Sequence, residues 1–427
     1  MTHRTRRAAA WTAGAALTVF LAAQLVRPEL PSGPVDHTVD VPPDVLAVLR
    51  RACFDCHSNE TRLPWFDRIV PAYWLVVADV REGREHLNFS ELGARPVGTQ
   101  RAALWEAINH VRLGAMPPWR YTLVHRDAAP SPADVALVEA WLRTLAPPPK
   151  PASAQAPAPL PPRPATVRPA PNGLAFQPDY RDWRLVDGSE RFDNGTLRQI
   201  LGNDVAMRAI ADGAFPPWPD GTTFAKVTWE TVVDADGVLR GGSFVQVELM
   251  AKDAARWAAT DGWGWGRWRG AGFEPYGTDA AFAGECVGCH APMRDADYVF
   301  TPPLDRRLAP AGVLPVDPLA WRVVAAAVDP AADTMATLFG DAAAVAAARA
   351  GTPVPPDASL ARVTWRRRDD PSWFGARIPG ALEAVEVVRD GVYRRWEGAP
   401  LAVAPTDPAG ADARARALRE APRLPFP

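Results

Sequence analysis

All four cysteines of this chain sit in two Cys-x-x-Cys-His segments, Cys53-Phe54-Asp55-Cys56-His57 and Cys286-Val287-Gly288-Cys289-His290. At this spacing two thiols can form thioethers to the vinyl groups of one haem while the next histidine ligates its iron. A thioredoxin-like redox pair has no need of the histidine. A four-cysteine zinc site would have to join motifs far apart in the chain. The two motifs therefore predict two covalently bound c-type haems. Cys53, Cys56, Cys286 and Cys289 are the attachment points, and His57 and His290 are the metal ligands.

The sixth ligand largely fixes what each haem does. Met116 is the only methionine between Met1 and Met207, within Gly114-Ala115-Met116-Pro117-Pro118-Trp119. A thioether there gives a His/Met iron of raised potential, suited to electron transfer. The alternative is that Met116 fills the core and His86, His110 or His125 supplies the ligand. The second site is more constrained, because no histidine other than His290 follows His125. Met207, Met250, Met293 and Lys226 remain as candidates; otherwise the position is open and a small molecule can bind the iron.

These sites need a compartment and a scaffold. His3, Arg4, Arg6 and Arg7 precede an apolar run from Ala8 to Val26, the pattern of an export segment. Haem c is attached outside the cytoplasm, so the expected location is the periplasm. Residues 1–30 are read as a signal peptide or as an uncleaved anchor in the inner membrane, the run being marginally long enough to span a bilayer. Net charge is −2 with mixed signs, which gives no basic field for nucleic acid. With no cysteine left for a disulfide, stability has to come from the haems and from cores rich in the 17 tryptophans.

The expected fold is multidomain α+β: a mostly helical c-type cytochrome domain (35–147), a Pro-rich linker (148–175), and two antiparallel-sheet-plus-helix domains (176–305 and 306–427). Pro42-Pro43 opens an apolar-periodic run into the first motif, and Ser131-Pro132 is an N-cap followed by proline at the first helical position. The Pro-rich stretch is expected to be a polyproline-type spacer. Beyond it Thr196–Ile210 suggests a helix, while Thr223–Val233 and Ser243–Met250 alternate like strands around the turn Asp234-Ala235-Asp236-Gly237. The last third echoes this order without a haem motif. Thr196–Asp204 is matched by Thr334–Ala342, Ala225–Trp229 by Ala361–Trp365, Val247–Leu249 by Val385–Val387, and Arg267-Trp268 by Arg395-Trp396. An ordered set of this kind indicates a duplicated domain whose second copy has neither cysteine nor histidine.

Two family resemblances follow from these residues. Residues about 35–147 resemble a small haem-binding domain whose signature runs CxxCHSNET, then Pro-Trp, then Gly-x-Met-Pro. Here those are Cys53 to Thr61, Pro64-Trp65, Trp74, Asn88-Phe89-Ser90 and Gly114–Pro117. That resemblance implies Met116 as the distal ligand. Residues about 176–302 resemble the cytochrome P-460 and cytochrome c′-beta family. The matching pieces are Gly202-Asn203, Trp218 to Thr222, Ala225-Lys226, the Gly262–Trp268 block, and Cys286–His290 followed by Asp297-Tyr298-Val299-Phe300. It implies an antiparallel-sheet domain, usually dimeric, with a largely five-coordinate haem. Some members oxidise hydroxylamine with a haem cross-linked to a lysine, and others bind nitric oxide without that link.

Lys226 is the candidate for such a link, against the alternative of a solvent-facing strand lysine. Glu248 is a candidate proton relay, assigned by alternation to one strand face with Phe244 and Met250. Glu386 keeps the carboxylate in the copy without a haem motif, which favours a structural role instead. The expected function is a dihaem cytochrome that transforms hydroxylamine or nitric oxide at the second haem and passes electrons through the first to a periplasmic or membrane redox partner. A nitric-oxide-binding protein without turnover and a plain dihaem electron carrier are the alternatives. The two C-terminal domains could form a pseudo-dimer within one chain.

Overall fold

The computed structural model describes residues 3–153, 164 and 166–426; residues 154–163 and 165 of the predicted Pro-rich spacer lie outside the described residues. The chain forms two compact units, Met1–Leu145 and Ala146–Pro427. The first is helical, with α1 (His3–Ala23), α2 (Pro43–Ala52), α3 (Phe54–His57), α4 (Ala72–His86), α5 (Phe89–Leu92), α6 (Val97–Arg112), α7 (Trp119–Thr122) and α8 (Pro132–Thr144). Proline opens both α2 and α8, where its missing N–H costs nothing. Ser131 and Asp134 complete a capping box on α8. The apolar run Ala8–Val26 lies mainly in α1; among the described residues no helix is long and apolar enough to cross a membrane.

The second unit holds β1 (Lys150–Pro151), β2 (Arg184–Arg191), β3 (Thr196–Gly202), α9 (Asp204–Asp212), β4 (Thr223–Val233), β5 (Leu239–Lys252), β6 (Trp263–Arg269), β7 (Glu274–Pro275) and α10 (Ala283–His290). It continues with β8 (Arg322–Asp329), β9 (Thr334–Gly340), α11 (Ala342–Ala350), β10 (Leu360–Asp369), β11 (Ala376–Arg389), β12 (Val392–Glu397), β13 (Ala402–Val403) and α12 (Pro408–Glu420). A helical unit followed by a large mixed sheet with helices is the α+β class expected.

Thr196–Ile210 is not one helix. Its first half is β3, hydrogen-bonded to β2 and β4 on either side, and Asn203 then caps α9. The spacing of Leu197, Ile200 and Leu201 imitates a helical face, but strand pairing on both edges overrides that local preference. Thr334–Gly340 behaves likewise, with Asp341 capping α11. The described ends of the predicted spacer are also bound to this unit. Lys150 and Pro151 pair with Val232 and Val233, while Val167 and Ala170 join the core.

Two five-stranded antiparallel meanders, β2–β6 and β8–β12, make up the sheet. Their registers coincide. Lys226 lies between Ile200 and Glu248, with Arg267 beyond; Arg362 lies between Leu338 and Glu386, with Arg395 beyond. The joints between the meanders are reciprocal, since β5 pairs with β8 through Leu239↔Val328, and β11 pairs with β2 through Arg377↔Glu190. Each joint uses the same place on each meander, as at a two-fold interface. One face of both meanders shares a core that includes Val227, Trp229, Val247, Trp268, Val363, Trp365, Val385 and Trp396.

The other faces differ. Beneath α10, Phe224, Met250, Trp263 and Trp265 form an apolar cluster with Cys286 against it. On the second meander α12 contributes Ala415 and Leu418 to the cluster around Leu360, Val388 and Tyr393. From α12, Arg414 makes two hydrogen bonds to Glu386, at 2.6 and 3.0 Å, and Tyr393 donates a third at 2.7 Å.

Burial alone would raise the Glu386 carboxyl, but the Arg414 hydrogen bonds, with Tyr393 and Arg362, hold it below its ordinary range. Its contribution to stability is therefore fully present above about pH 4.3, the ordinary glutamate value, and is lost as pH falls through the depressed folded value. Arg414→Ala is expected to cost about 2–3 kcal/mol near neutral pH, from hydrogen bonds to a charged group, and to flatten the acid limb of stability. Urea unfolding at several pH values measures both.

Candidate functional site

The first motif lies where α2 gives way to α3. Cys56 N and His57 N both donate to the Cys53 carbonyl, at 3.2 and 2.9 Å, which gathers the thiols and the imidazole on one turn. The residues that follow hold that turn in place. Ser58 Oγ donates to the Phe54 carbonyl, Thr61 Oγ1 to the Asp55 carbonyl, and Asn59 N to Ser90 Oγ. Asn88 caps α5 and donates to Asn59 Oδ1. This fixes the loop whose Leu87 carbonyl lies 3.1 Å from His57 Nδ1. Gly83 allows the close approach, since a Cβ there would lie 3.0 Å from the Cys56 carbonyl oxygen and 3.3 Å from His57 Cε1.

A proton on Nδ1, donated to Leu87, leaves the Nε2 lone pair for a metal. Burial lowers the His57 pKa, so the ring is neutral and able to ligate. Burial also pushes Cys53 and Cys56 up to about 12, which disfavours the thiolate that a redox pair needs but not a neutral thioether.

Met116 follows α6, its N–H donating to the His110 carbonyl at 3.1 Å, and the half-buried His110 ring lies within electrostatic reach of His57. Its side chain is 37% exposed, which does not suit the core-filling alternative. Of the alternative ligands, His125 is committed elsewhere: Nε2 is 2.8 Å from Asp67 and Nδ1 3.2 Å from the Tyr121 carbonyl. His86 Nδ1 lies 3.0 Å from the Glu82 carbonyl on an exposed face.

The second motif closes α10. His290 Nδ1 lies 2.6 Å from the Tyr298 carbonyl, which again leaves Nε2 available. Asp297 and Tyr298 turn the chain back with φ of 52° and 66°, left-handed values uncommon for non-glycine residues. Asp297 secures that turn by accepting from Trp218 N, Lys252 Nζ and Trp263 Nε1 at 2.8, 2.7 and 3.1 Å. Burial, the largest cause, lowers His290 to about 4. Trp265 and Phe300 flank the ring at 4.6 and 4.9 Å between centroids.

Lys226 and Glu248 reach the same place. Lys226 Nζ lies 2.6 Å from Glu248 Oε2, and Arg267 Nε donates to Oε1 at 2.8 Å. All three act electrostatically on His290 and on Cys286. Lys226 is half-buried, its amine held against Glu248. Burial would raise the Glu248 carboxyl, yet Lys226 and Arg267, with Arg198, hold it far below the usual range, so it is ionised. Phe244 does not share the Glu248 face; a bulge opposite Thr228–Trp229 reverses the alternation and sends Phe244 into the shared core. Met207 and Met250 are buried in the apolar cluster under α10. Met293 lies three residues after His290, in the 3-10 segment Ala291–Ala296.

Four contributors escaped sequence reasoning. Arg198, on β3, is electrostatically coupled to Cys289 and Glu248, and burial depresses it to about 9; nothing in its local pattern marked it. Arg267 was visible only as half of a repeated pair. Trp265 lay inside a family block without a role. Trp373, in the β10–β11 connection, packs on Phe300 at 5.7 Å and under Arg191 at 4.4 Å, so the second meander lends a wall to this site. The residues fit a haem here. Arg198 Nε and Trp265 Nε1 are buried donors without partners among the described residues, beside a neutral histidine whose Nδ1 is fixed, and suit the acidic edge of such a group.

Asp297→Ala would leave the nearly buried Lys252 ammonium without its partner. A loss of about 3 kcal/mol or more is expected in urea unfolding, with a change in the absorption of the His290 haem; a loss below about 1 kcal/mol would remove Asp297 from this role.

Comparison with known proteins agrees with this geometry. Residues 18–144 match the family model of a haem-binding domain. Residues 177–301 match that of cytochrome P460. No curated protein matches the chain. Both Cys-x-x-Cys-His motifs fall within these matches, Trp373 lying outside them, and the chain is a haem protein of the cytochrome kind in which a haem-binding domain precedes a cytochrome P460 domain.

Proposed function

We propose that this is a periplasmic dihaem c-type cytochrome that oxidises or otherwise transforms hydroxylamine or nitric oxide at the His290 site and passes electrons out through the His57 site. The observation that carries this reading is the contrast between the two ligand environments. Near His57 stands a second histidine, His110, whose carbonyl accepts from the N–H of the exposed Met116. Near His290 stand the charged groups of Lys226, Glu248, Arg267 and Arg198, with no second histidine in the unit. A saturated iron passes electrons, while an open one meets a ligand.

A bound haem would supply the iron that takes up the nitrogen species and its electrons. The protein's own part is then to hold Cys286, Cys289 and His290 on α10, keep Nδ1 protonated against the Tyr298 carbonyl, and place cations beside the site. Lys226 is the residue for a covalent link, because its amine lies in the cluster around Cys286 and His290. Glu248 orients that amine and balances Arg267. If Lys226 were consumed in such a link, Glu248 would lose one of its two close cations and become a better proton acceptor. The tight Lys226–Glu248 pair also favours the second reading, nitric oxide binding without turnover, since a carboxylate held this low takes protons poorly at neutral pH.

The meander β8–β12 is proposed to be a haemless copy standing in for a second subunit. The reciprocal joints support this, and α12 with Arg414 fills the face that α10 covers in the first meander. Retention of the N-terminal segment in the mature protein is supported by the residues just after α1. Gln24 exchanges hydrogen bonds with Val70, Tyr73 donates to the Pro28 carbonyl, and Arg84 to that of Pro31.

Intact and haem-peptide mass of the purified protein, with Lys226→Arg beside it, tests the enzymatic reading. A Lys226 haem peptide that disappears in the variant is expected, together with hydroxylamine-dependent reduction of an acceptor. Met116→Ala is expected to slow that reduction at least tenfold. An unchanged rate would remove the His57 haem from the electron path, and absence of the linked peptide would leave nitric oxide binding as the function.

A further inference from the structure

The pseudo-two-fold arrangement exposes a second, unrelated site. Trp229 and Trp365 occupy the same place in the two meanders, opposite Leu197 and Met335 respectively. Around Trp229 the space is filled by the chain's own C-terminal residues. Leu424 N donates to the Val324 carbonyl, Trp229 Nε1 donates to the Pro425 carbonyl at 2.7 Å, and Phe426 stands edge-on to Trp229 at 5.0 Å.

Around Trp365 the first step is repeated and the rest is not. Leu304 N donates to the Val186 carbonyl as Leu424 N does to Val324. The chain then diverges, leaving a cavity of about 450 Å³ lined by Asp187, Leu304, Arg307, Trp365, Arg368 and Leu382 among others. Trp365 Nε1 has no hydrogen-bond partner among the described residues, whereas Trp229 Nε1 has the Pro425 carbonyl. Asp187 is 2% exposed and, among the described residues, accepts only from Gly188 N. It stands where the first-described pocket has Ala325, and Arg368 where that pocket has Val232, by register against Ile200 and Leu338, and Ile378 and Arg240.

We infer that this cavity is a docking site for a peptide segment of another protein, one carrying proline followed by an aromatic residue. The occupant of the sister pocket defines the chemistry: a carbonyl for the indole N–H and a ring against its edge. Asp187 adds an acceptor for a peptide N–H, and Arg368 adds a donor at the rim. The volume suits a few residues. None of these groups belongs to the haem sites, so this inference stands apart from the proposed redox function.

The test is calorimetric titration of the full-length holoprotein with acetyl-Leu-Pro-Phe-Pro, which copies residues 424–427. Saturable binding is expected, weakened at least tenfold when Phe in the probe is replaced by Ala. Trp365→Phe keeps the ring but removes the N–H, and should weaken binding about threefold to tenfold. Asp187→Asn provides a second variant should the first unfold. No heat of binding at millimolar probe, equal affinity for both probes, or unchanged affinity in both variants would overturn the proposal. Equal binding of benzamide would overturn it too, by assigning the cavity to small aromatic amides rather than to a peptide.

Discussion

An imidazole that is to hold iron through Nε2 must keep its other nitrogen protonated and its ring still. Both motifs solve this in one way, with Nδ1 aimed at a backbone carbonyl from a later part of the chain: Leu87 for His57 and Tyr298 for His290. Much of the surrounding structure serves those two carbonyls. In the first unit the Ser58–Thr61 segment and the Asn88–Ser90 loop clasp each other beside Leu87. In the second, consecutive left-handed residues and the Asp297 hub aim the Tyr298 carbonyl back at α10. Catalytic or redox character is added afterwards, by whatever stands on the other side of the ring.

The sheet shows how one register supports two outcomes. Glu248 and Glu386 hold the same position and both are ionised by adjacent cations. In the first meander the cations are Lys226 and Arg267, in a space left for the haem motif on α10. In the second, Arg414 arrives from α12 and the space is closed by Ala415 and Leu418. The carboxylate is thus a property of the framework, and the cation opposite decides whether the face is a site or a core. Trp373 gives the second meander a share in the walls around His290, through Phe300 and Arg191.

Much of this was legible in the residues. Each Cys-x-x-Cys-His motif lies inside a matched haem family, Ser131-Pro132 started a helix where expected, and β4 runs over the very residues whose alternation suggested it. The paired blocks of the last third correspond residue by residue in register. What failed, failed for non-local reasons. Leu197, Ile200 and Leu201 carry a helical spacing that strand pairing on both edges overrides, and a bulge no single strand reveals moves Phe244 off the Glu248 face. The ends of the Pro-rich stretch look free because nothing local shows that β4 and the core will bind them. Arg198 was silent because a single strand arginine acquires meaning only from what burial places around it.

On the proposed function the two haems are unlike, one closed by a methionine and one open. Ferric electron paramagnetic resonance of the purified protein, with spins counted against total haem by the pyridine haemochrome assay, tests it most directly. Two haems per chain, one low-spin and one high-spin in equal amount, with only the high-spin signal changing on addition of nitric oxide, is the predicted result. Two low-spin haems, or a single haem per chain, would contradict it.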